Sequence, residues 1–227
     1  MNKWIHRLSK LRSRQGLYEF LNIQFGSIQS NQKVLTIGSG GEINKILYQF
    51  AENKGFDVIS LDVDANRGPD LVGDICTFDF GSEKFDVIAI CEVLEHVHSP
   101  HLAINQLFNV LNPGGKLILT TPFMLPIHEA PIDYYRYTKY GLAFLLRDFD
   151  QVTIEERNSY FEAIDVLWMR VYNIEHKYSK RLARIVIPTV YYLKRPFTKL
   201  LDFFVKNNGM TTGYTVTAIK PASTQGL

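Results

Sequence analysis

The 227 residues, 46% of them hydrophobic, supply enough apolar material for one α/β core and exclude a disordered polymer. A net charge of +2 conceals an asymmetry: residues 1–14 carry five Lys/Arg and no acid, and residues 176–208 carry eight against Asp202 alone, which leaves an acidic body. Cys76 and Cys91 lack disulfide-framework or metal-ligand spacing, so no metal is expected and a reducing, cytoplasmic setting is. In chain order, Trp4, Ile5, Leu8 and Leu11 predict a short amphipathic helix within an N-terminal extension over residues 1–30. No apolar h-region precedes it, and the best apolar run, Ile185 to Leu193, is short and broken by Pro188, so neither a secretory signal nor a membrane span is expected.

From Lys33 onward, strand and helix signals alternate. Strands are predicted at Lys33 to Ile37, Asp57 to Leu61, Asp70 to Val72, Phe85 to Ile90, Lys116 to Thr121, Gln151 to Glu156 and Gly213 to Lys220. Helices are predicted at Glu42 to Asn53, Pro100 to Leu111 and Thr138 to Arg147, with Asn112-Pro-Gly-Gly115 as a turn. This rhythm predicts an α/β, doubly wound, mainly parallel seven-stranded sheet. Residues 31–160 form its core, a helical insertion over 161–208 interrupts it, and 209–227 supply the last strand and tail.

The strand Val34 to Ile37 runs into Gly38-Ser39-Gly40-Gly41, and a helix follows. Glycines at such a junction let backbone N–H groups approach a ligand, and the helix start favours anionic or polar groups. The downstream strand ends Leu61-Asp62-Val63-Asp64, Gly73-Asp74-Ile75 and Cys91-Glu92-Val93-Leu94-Glu95-His96 should gather beside this loop at one edge of a parallel sheet. A dinucleotide fingerprint would need glycine where Ile43 stands, and the Gly-Lys-Ser/Thr of a P-loop is absent.

With Phe85 to Val97 and Leu111-Asn-Pro-Gly-Gly-Lys-Leu-Ile-Leu119, the pattern resembles the class I S-adenosylmethionine-dependent methyltransferases and their Rossmann-like fold. The resemblance implies S-adenosylmethionine as cofactor. It places Gly38, Ser39 and Gly40 under the methionine moiety, Asp62 and Val63 at the ribose, Asp74 and Ile75 at the adenine, and Cys91 and Glu92 beside the sulfonium. Thr36 stands where the family usually has an acid, and Glu42 where it often has a third glycine. His96 is expected to cap or pack, and Cys91 also reads as a small buried residue at a strand end.

After the fifth strand comes a dense loop, Thr121 to Thr138, with His128, Glu129, Asp133, Tyr134 and Arg136 among three prolines, and Thr138 as a helix N-cap. The loop is similar to methyltransferases of bacterial surface-polysaccharide pathways, which implies O-methylation of a sugar hydroxyl on a glycan or lipid-linked precursor. A quinone-like phenol is the alternative acceptor, and a non-catalytic nucleotide-binding scaffold the alternative from another class. His128 has the side chain best suited to accept the acceptor's proton, with Glu129 or Asp133 orienting it or acting instead. Equally, Asp133 and Arg136 could form a structural pair while His128 packs, or Arg136 could meet an anionic substrate group alongside Tyr134. The basic, aromatic segment 176–208 suits a membrane interface, and a pocket lid or homodimer surface is the bland alternative. No nucleic-acid recognition motif accompanies the basic patches.

Overall fold

A computed structural model describes residues 14–171, 180–205 and 209–222. The amphipathic helix expected from Trp4 to Leu11 lies outside them. A first helix not singled out in the sequence, α1 (Gln15–Gly26), buries Leu21 and Phe25 completely. The chain divides into two compact units. The larger takes Glu19–Pro122, Ile127–Glu155 and the chain from Tyr214 on; the smaller takes the chain up to Tyr18, Phe123–Pro126 and Glu156–Gly213.

The larger unit is built on a seven-stranded sheet of order β3-β2-β1-β4-β5-β7-β6. The strands are β1 (Lys33–Ile37), β2 (Asp57–Asp62), β3 (Leu71–Val72), β4 (Phe85–Cys91), β5 (Leu111–Pro122), β6 (Asp150–Glu156) and β7 (Gly213–Ile219). Pairs β1–β2, β1–β4, β2–β3 and β4–β5 are parallel. β7 runs against β5: Gly114 donates to the Lys220 carbonyl near one end and Phe123 to that of Thr212 near the other, so rising numbers meet falling ones. The sheet is therefore mixed at one edge and parallel through its middle.

Helices α2 (Gly41–Lys54), α3 (Pro100–Val110) and α4 (Lys139–Leu145) connect the strands. Because they leave the central strands covered, Val87 to Ile90 of β4 and Leu117 to Leu119 of β5 are near-continuous buried apolar runs. The predicted turn at Asn112–Gly115 is instead part of β5. Between Phe85 and Val87 the partner strand advances from Leu111 to Lys116, a bulge that absorbs the Pro-Gly-Gly. Gly114 adopts φ 76 there, which glycine tolerates at no steric cost.

The smaller unit contains α5 (Tyr160–Arg170) and the long α6 (Lys180–Phe204), the predicted helical insertion. α5 opens on a capping box in which Ser159 accepts from the Glu162 N–H and the Glu162 side chain accepts from the Ser159 N–H. Ile187 and Tyr191 of α6 pack with Met169, and the Trp168 indole donates to the Ile187 carbonyl at 3.0 Å. Lys194 and Thr198 both reach the buried carboxylate of Asp165, at 2.7 and 3.2 Å. α6 is long enough to cross a bilayer but not apolar enough, and no described helix satisfies both conditions.

Candidate functional site

The glycine loop closes over the C-terminal ends of β1 and β2. Gly38 turns at φ 85 and donates to the Leu61 carbonyl at 2.8 Å. A Cβ there would sit 2.9 Å from Cγ2 of Val93, so both backbone and packing require glycine. The loop is also fastened from within, a feature sequence reasoning missed. Thr36 Oγ1 donates to Asn44 Oδ1 at 2.9 Å, and Asn44 Nδ2 donates back to the carbonyls of Gly38 and Gly40. Thr36 and Asn44 are both buried, so the family's usual acid is replaced by a neutral pair that grips the loop.

Asp62 faces the same loop. Its Oδ2 accepts from the Ser39 N–H at 2.8 Å and the Ser39 hydroxyl at 3.1 Å, and its Oδ1 accepts from the Asp64 N–H at 2.9 Å. Burial pushes this carboxyl up, but those donors and Arg67, 3.6 Å away, together hold it below its ordinary value. An ionised carboxylate has about four acceptor sites, so capacity remains for a further hydroxyl donor. Val63 beside it is exposed. Asp74 accepts from the Cys76 N–H at 2.9 Å and lies 3.8 Å from the His98 ring, with Ile75 buried next to it. A carboxylate-ended strand beside an open glycine turn fits a ribose-bearing cofactor, since a Cβ on Gly41 would meet nothing within 4 Å.

At the end of β4, Cys91 pairs with Thr120 of β5. Glu92 takes φ 56, donates its N–H to the Thr120 carbonyl at 2.9 Å and accepts from the Thr120 hydroxyl at 3.2 Å. A non-glycine residue in this left-handed region costs energy that the reciprocal contact with Thr120 offsets.

Two further turns build a second cluster. Residues Leu94–His96 form a 3-10 turn after β4. The loop after β5 is tied to it, because the Tyr134 and Tyr135 N–H groups both donate to the Glu95 carbonyl and the Tyr137 hydroxyl donates to that of Leu94. This brings the His128 and His96 Nε2 atoms to 3.2 Å, and Glu95 Oε1 to 3.7 and 3.8 Å from His96 and His128. His96 Nδ1 faces the Ile132 carbonyl at 2.9 Å, and His128 Nδ1 faces Asp133 Oδ2 at 3.3 Å. Asp133 also accepts from the His128 N–H at 2.9 Å and forms a bidentate pair with Arg136, one arm at 2.6 Å. Arg136 holds the Asp133 carboxyl far below the usual range. Burial pushes the His128 imidazole down, helped by His96 and Arg136 and opposed by Asp133 and Glu92.

The expected groups are thus partly reassigned. Asp133 orients His128 and simultaneously forms the structural pair with Arg136, whose guanidinium is committed there. Both His128 ring nitrogens face protein groups, so it does not stand as an isolated base. Glu129 is exposed at φ 53 and takes no part in the His128–Asp133 contacts. Tyr134 is half exposed. His96, expected to cap or pack, and Glu95, fully buried, join the cluster instead. The sequence shows no metal-ligand spacing, yet three donors converge here from segments over thirty residues apart. A Leu-Glu-His segment after a strand and a His in the next loop were visible; their pairing was not.

Comparison with known proteins identifies the family. A profile described as a methyltransferase domain matches residues 2–165, most of the chain. Demethylmenaquinone methyltransferase of Renibacterium salmoninarum is 32% identical over 98 residues, covering 39% of this chain and 40% of its own. Ubiquinone biosynthesis O-methyltransferase of Aliivibrio fischeri is 29% identical over 136 residues, covering 52% and 53%. The chain spans about half the length, or less, of the curated relatives it matches. Among solved structures, Haemonchus contortus phosphoethanolamine N-methyltransferase 2 in complex with S-adenosyl-L-methionine aligns with TM-score 0.59 at 21% identity, over 92% of this chain and 52% of that one. A methyltransferase from a Haloferax volcanii complex with its Trm112 activator aligns with TM-score 0.60 at 15% identity, over 99% and 97%. Those structural likenesses show the fold. With the domain profile spanning most of its length, the chain belongs to the S-adenosylmethionine-dependent methyltransferases.

Proposed function

We propose that this chain transfers a methyl group from S-adenosylmethionine to a hydroxyl oxygen of a small, lipophilic acceptor. The observation that carries the reading is the convergence of His96 Nε2, His128 Nε2 and Glu95 Oε1 within 3.8 Å of one another on the loop side of β4. Glu92 links the two clusters, since it sits against Thr120 and its charge acts on His128. In this reading Gly38, Ser39 and Gly40 hold the methionine end, Asp62 with Val63 the ribose, Asp74 and Ile75 the adenine, and Cys91 and Glu92 flank the sulfonium. The bound cofactor supplies an electrophilic methyl on sulfur. The chain's part is to position the acceptor oxygen and ease the loss of its proton beside the Glu95–His96–His128 cluster, while Asp133 holds His128 in place.

The acceptor class rests on two supports. Relatives matched over part of their length are named for quinone methylation, at carbon in some and at oxygen in others, and the O-methyltransferases among them favour an aromatic hydroxyl on an apolar body. The smaller unit presents Ile185, Leu193, Leu200 and Phe203 as an exposed apolar face on α6, among Lys and Arg, which suits an anionic lipid surface where such acceptors reside. A sugar hydroxyl on a lipid-linked precursor is the second reading, favoured by the exposed ring pair Tyr134–Tyr135 with centroids 6.4 Å apart.

Calorimetry with S-adenosylmethionine tests the cofactor half, and absence of binding would sink the proposal. Mass spectrometry after incubation with catechol-type phenols, nucleotide sugars and lipid-linked sugars tests the acceptor. Methylated phenol is the expected product; methylated sugar alone moves the assignment to the second reading.

A further inference from the structure

We infer that Glu95, His96 and His128 form a binding site for a divalent transition-metal ion of the zinc type. The argument begins with the protons on the two imidazoles. His96 Nδ1 stands 2.9 Å from the Ile132 carbonyl oxygen, which can only accept, so that nitrogen carries hydrogen. His128 Nδ1 stands 3.3 Å from an oxygen of Asp133, ionised in its bidentate pair with Arg136, and that negative charge favours hydrogen on this nitrogen as well. In the neutral rings both Nε2 atoms are then bare. Two lone pairs face one another at 3.2 Å, with the buried carboxylate of Glu95 at 3.7 and 3.8 Å.

Three donor atoms converge here on one point. One proton can bridge the two imidazoles, but the distances to Glu95 are beyond hydrogen-bond reach. A divalent ion meets all three atoms together. Tetrahedral zinc, with bonds of about 2.0–2.1 Å, holds its ligand atoms roughly 3.4 Å apart, close to the separations found here. Metal-binding histidines characteristically turn their other ring nitrogen to a carboxylate or a backbone carbonyl, and here His96 Nδ1 meets the Ile132 carbonyl at 2.9 Å while His128 Nδ1 lies 3.3 Å from the Asp133 carboxylate. The nitrogen-and-carboxylate set suits zinc or cobalt rather than the harder magnesium or calcium.

Three protein ligands leave a coordination position open. Resting on the hydroxyl-methylation reading above, that position takes the acceptor oxygen. Coordination lowers the hydroxyl pKa, its proton passes to water, and the coordinated oxygenate then accepts the methyl. The acceptor's O–H bond breaks; the methyl–sulfur bond of S-adenosylmethionine breaks as the O–C bond forms, its electron pair returns to sulfur, S-adenosylhomocysteine leaves, and no oxidant or reductant is required. His128 thereby acts as a ligand, and Asp133 as a positioning residue behind it.

The test uses the full chain after dialysis against a chelator. Titration with Co2+ is expected to produce visible ligand-field absorption that saturates at one equivalent and is displaced by Zn2+. Glu95→Gln and His96→Ala should abolish it, and Asp133→Asn should weaken Co2+ binding roughly 10–100-fold. His101→Ala, exposed on α3, should leave it unchanged. Thermal unfolding and S-adenosylmethionine calorimetry on each variant identify those that remain folded. No absorption in the wild type, or the same spectrum in folded His96→Ala and Glu95→Gln proteins, overturns the site. Metal binding without S-adenosylmethionine binding retains the site and sinks the methyl-transfer reading; the reverse sinks the site alone.

Discussion

Thr36 and Asn44, eight residues apart on β1 and α2, share a buried hydrogen bond of 2.9 Å that turns Asn44 toward the glycine loop. The loop's shape therefore depends on a side chain that touches no ligand directly. Asn44→Ala removes one buried bond to Thr36 and two donations to loop carbonyls. We expect a stability loss of about 2–3 kcal/mol and an S-adenosylmethionine affinity roughly tenfold weaker. Urea unfolding and calorimetry measure the two separately, and unchanged affinity would show that the loop keeps its shape without Asn44.

Gly38 and Gly41 have the same φ of 85 but different surroundings. Gly38→Ala pays for the left-handed backbone and for the contact with Val93; Gly41→Ala pays for the backbone alone, about 1–2 kcal/mol. For a chain of this size each kcal/mol lowers Tm by roughly 2–4 °C, so Gly38→Ala should melt several degrees below Gly41→Ala. Adding Val93→Ala should recover part of that gap. Equal melting temperatures would remove steric closeness as the reason for Gly38.

The Asp62 carboxyl is held below its ordinary value of 3.8, because the Ser39 and Asp64 donors and Arg67 outweigh burial. A depressed carboxylate stabilises the fold fully above its unfolded pKa and loses that contribution as pH falls through the folded one. The stability gap between wild type and Asp62→Asn should accordingly be constant above about pH 5 and shrink from about pH 4 downward. Urea unfolding across that range checks the sign. At neutral pH, Asp62→Asn should bind S-adenosylmethionine roughly 10–100-fold more weakly, as for a lost charge-assisted hydrogen bond.

The outer face of α6 should adsorb to anionic vesicles. Leu193, Phe197, Leu200 and Phe203 are all more than half exposed, whereas Ile187 and Tyr191 pack inward, so substituting the outer set spares the packed stripe. Replacing Phe197 and Phe203 by Ser should cut flotation with phosphatidylserine vesicles at least tenfold and leave thermal unfolding unchanged. Binding that is indifferent to these residues or to lipid charge would refute the membrane contact.

Much of the central sheet was legible because its signals are local. Val34 to Gly41 carries strand, turn and helix start within eight residues, and β4 and β5 announce themselves by the apolar runs Val87 to Ile90 and Leu117 to Leu119. The limits of β5 were not legible. Asn112-Pro-Gly-Gly115 reads as a turn, but Gly114 and Gly115 find hydrogen-bond partners in Lys220, more than a hundred residues away. Asn44 looked like an ordinary helix residue, since its partners exist only once the loop has closed above it. His96 looked like a capping residue for the same reason, its counterpart lying 32 residues downstream. Asp62 was legible as a neighbour of the glycine loop, because the ends of adjacent parallel strands lie at one edge of the sheet.

The Glu95 carbonyl, which receives both the Tyr134 and Tyr135 N–H groups, pins the loop after β5 at one point, and Asp133 pins it again through His128 and Arg136. Ile127 just before these anchors, and Glu129 and Ile132 between them, are exposed. They can diverge without disturbing Asp62, Gly38 or the sheet. On the proposed reading, substitutions at these positions would alter the acceptor side and leave the cofactor side as it is.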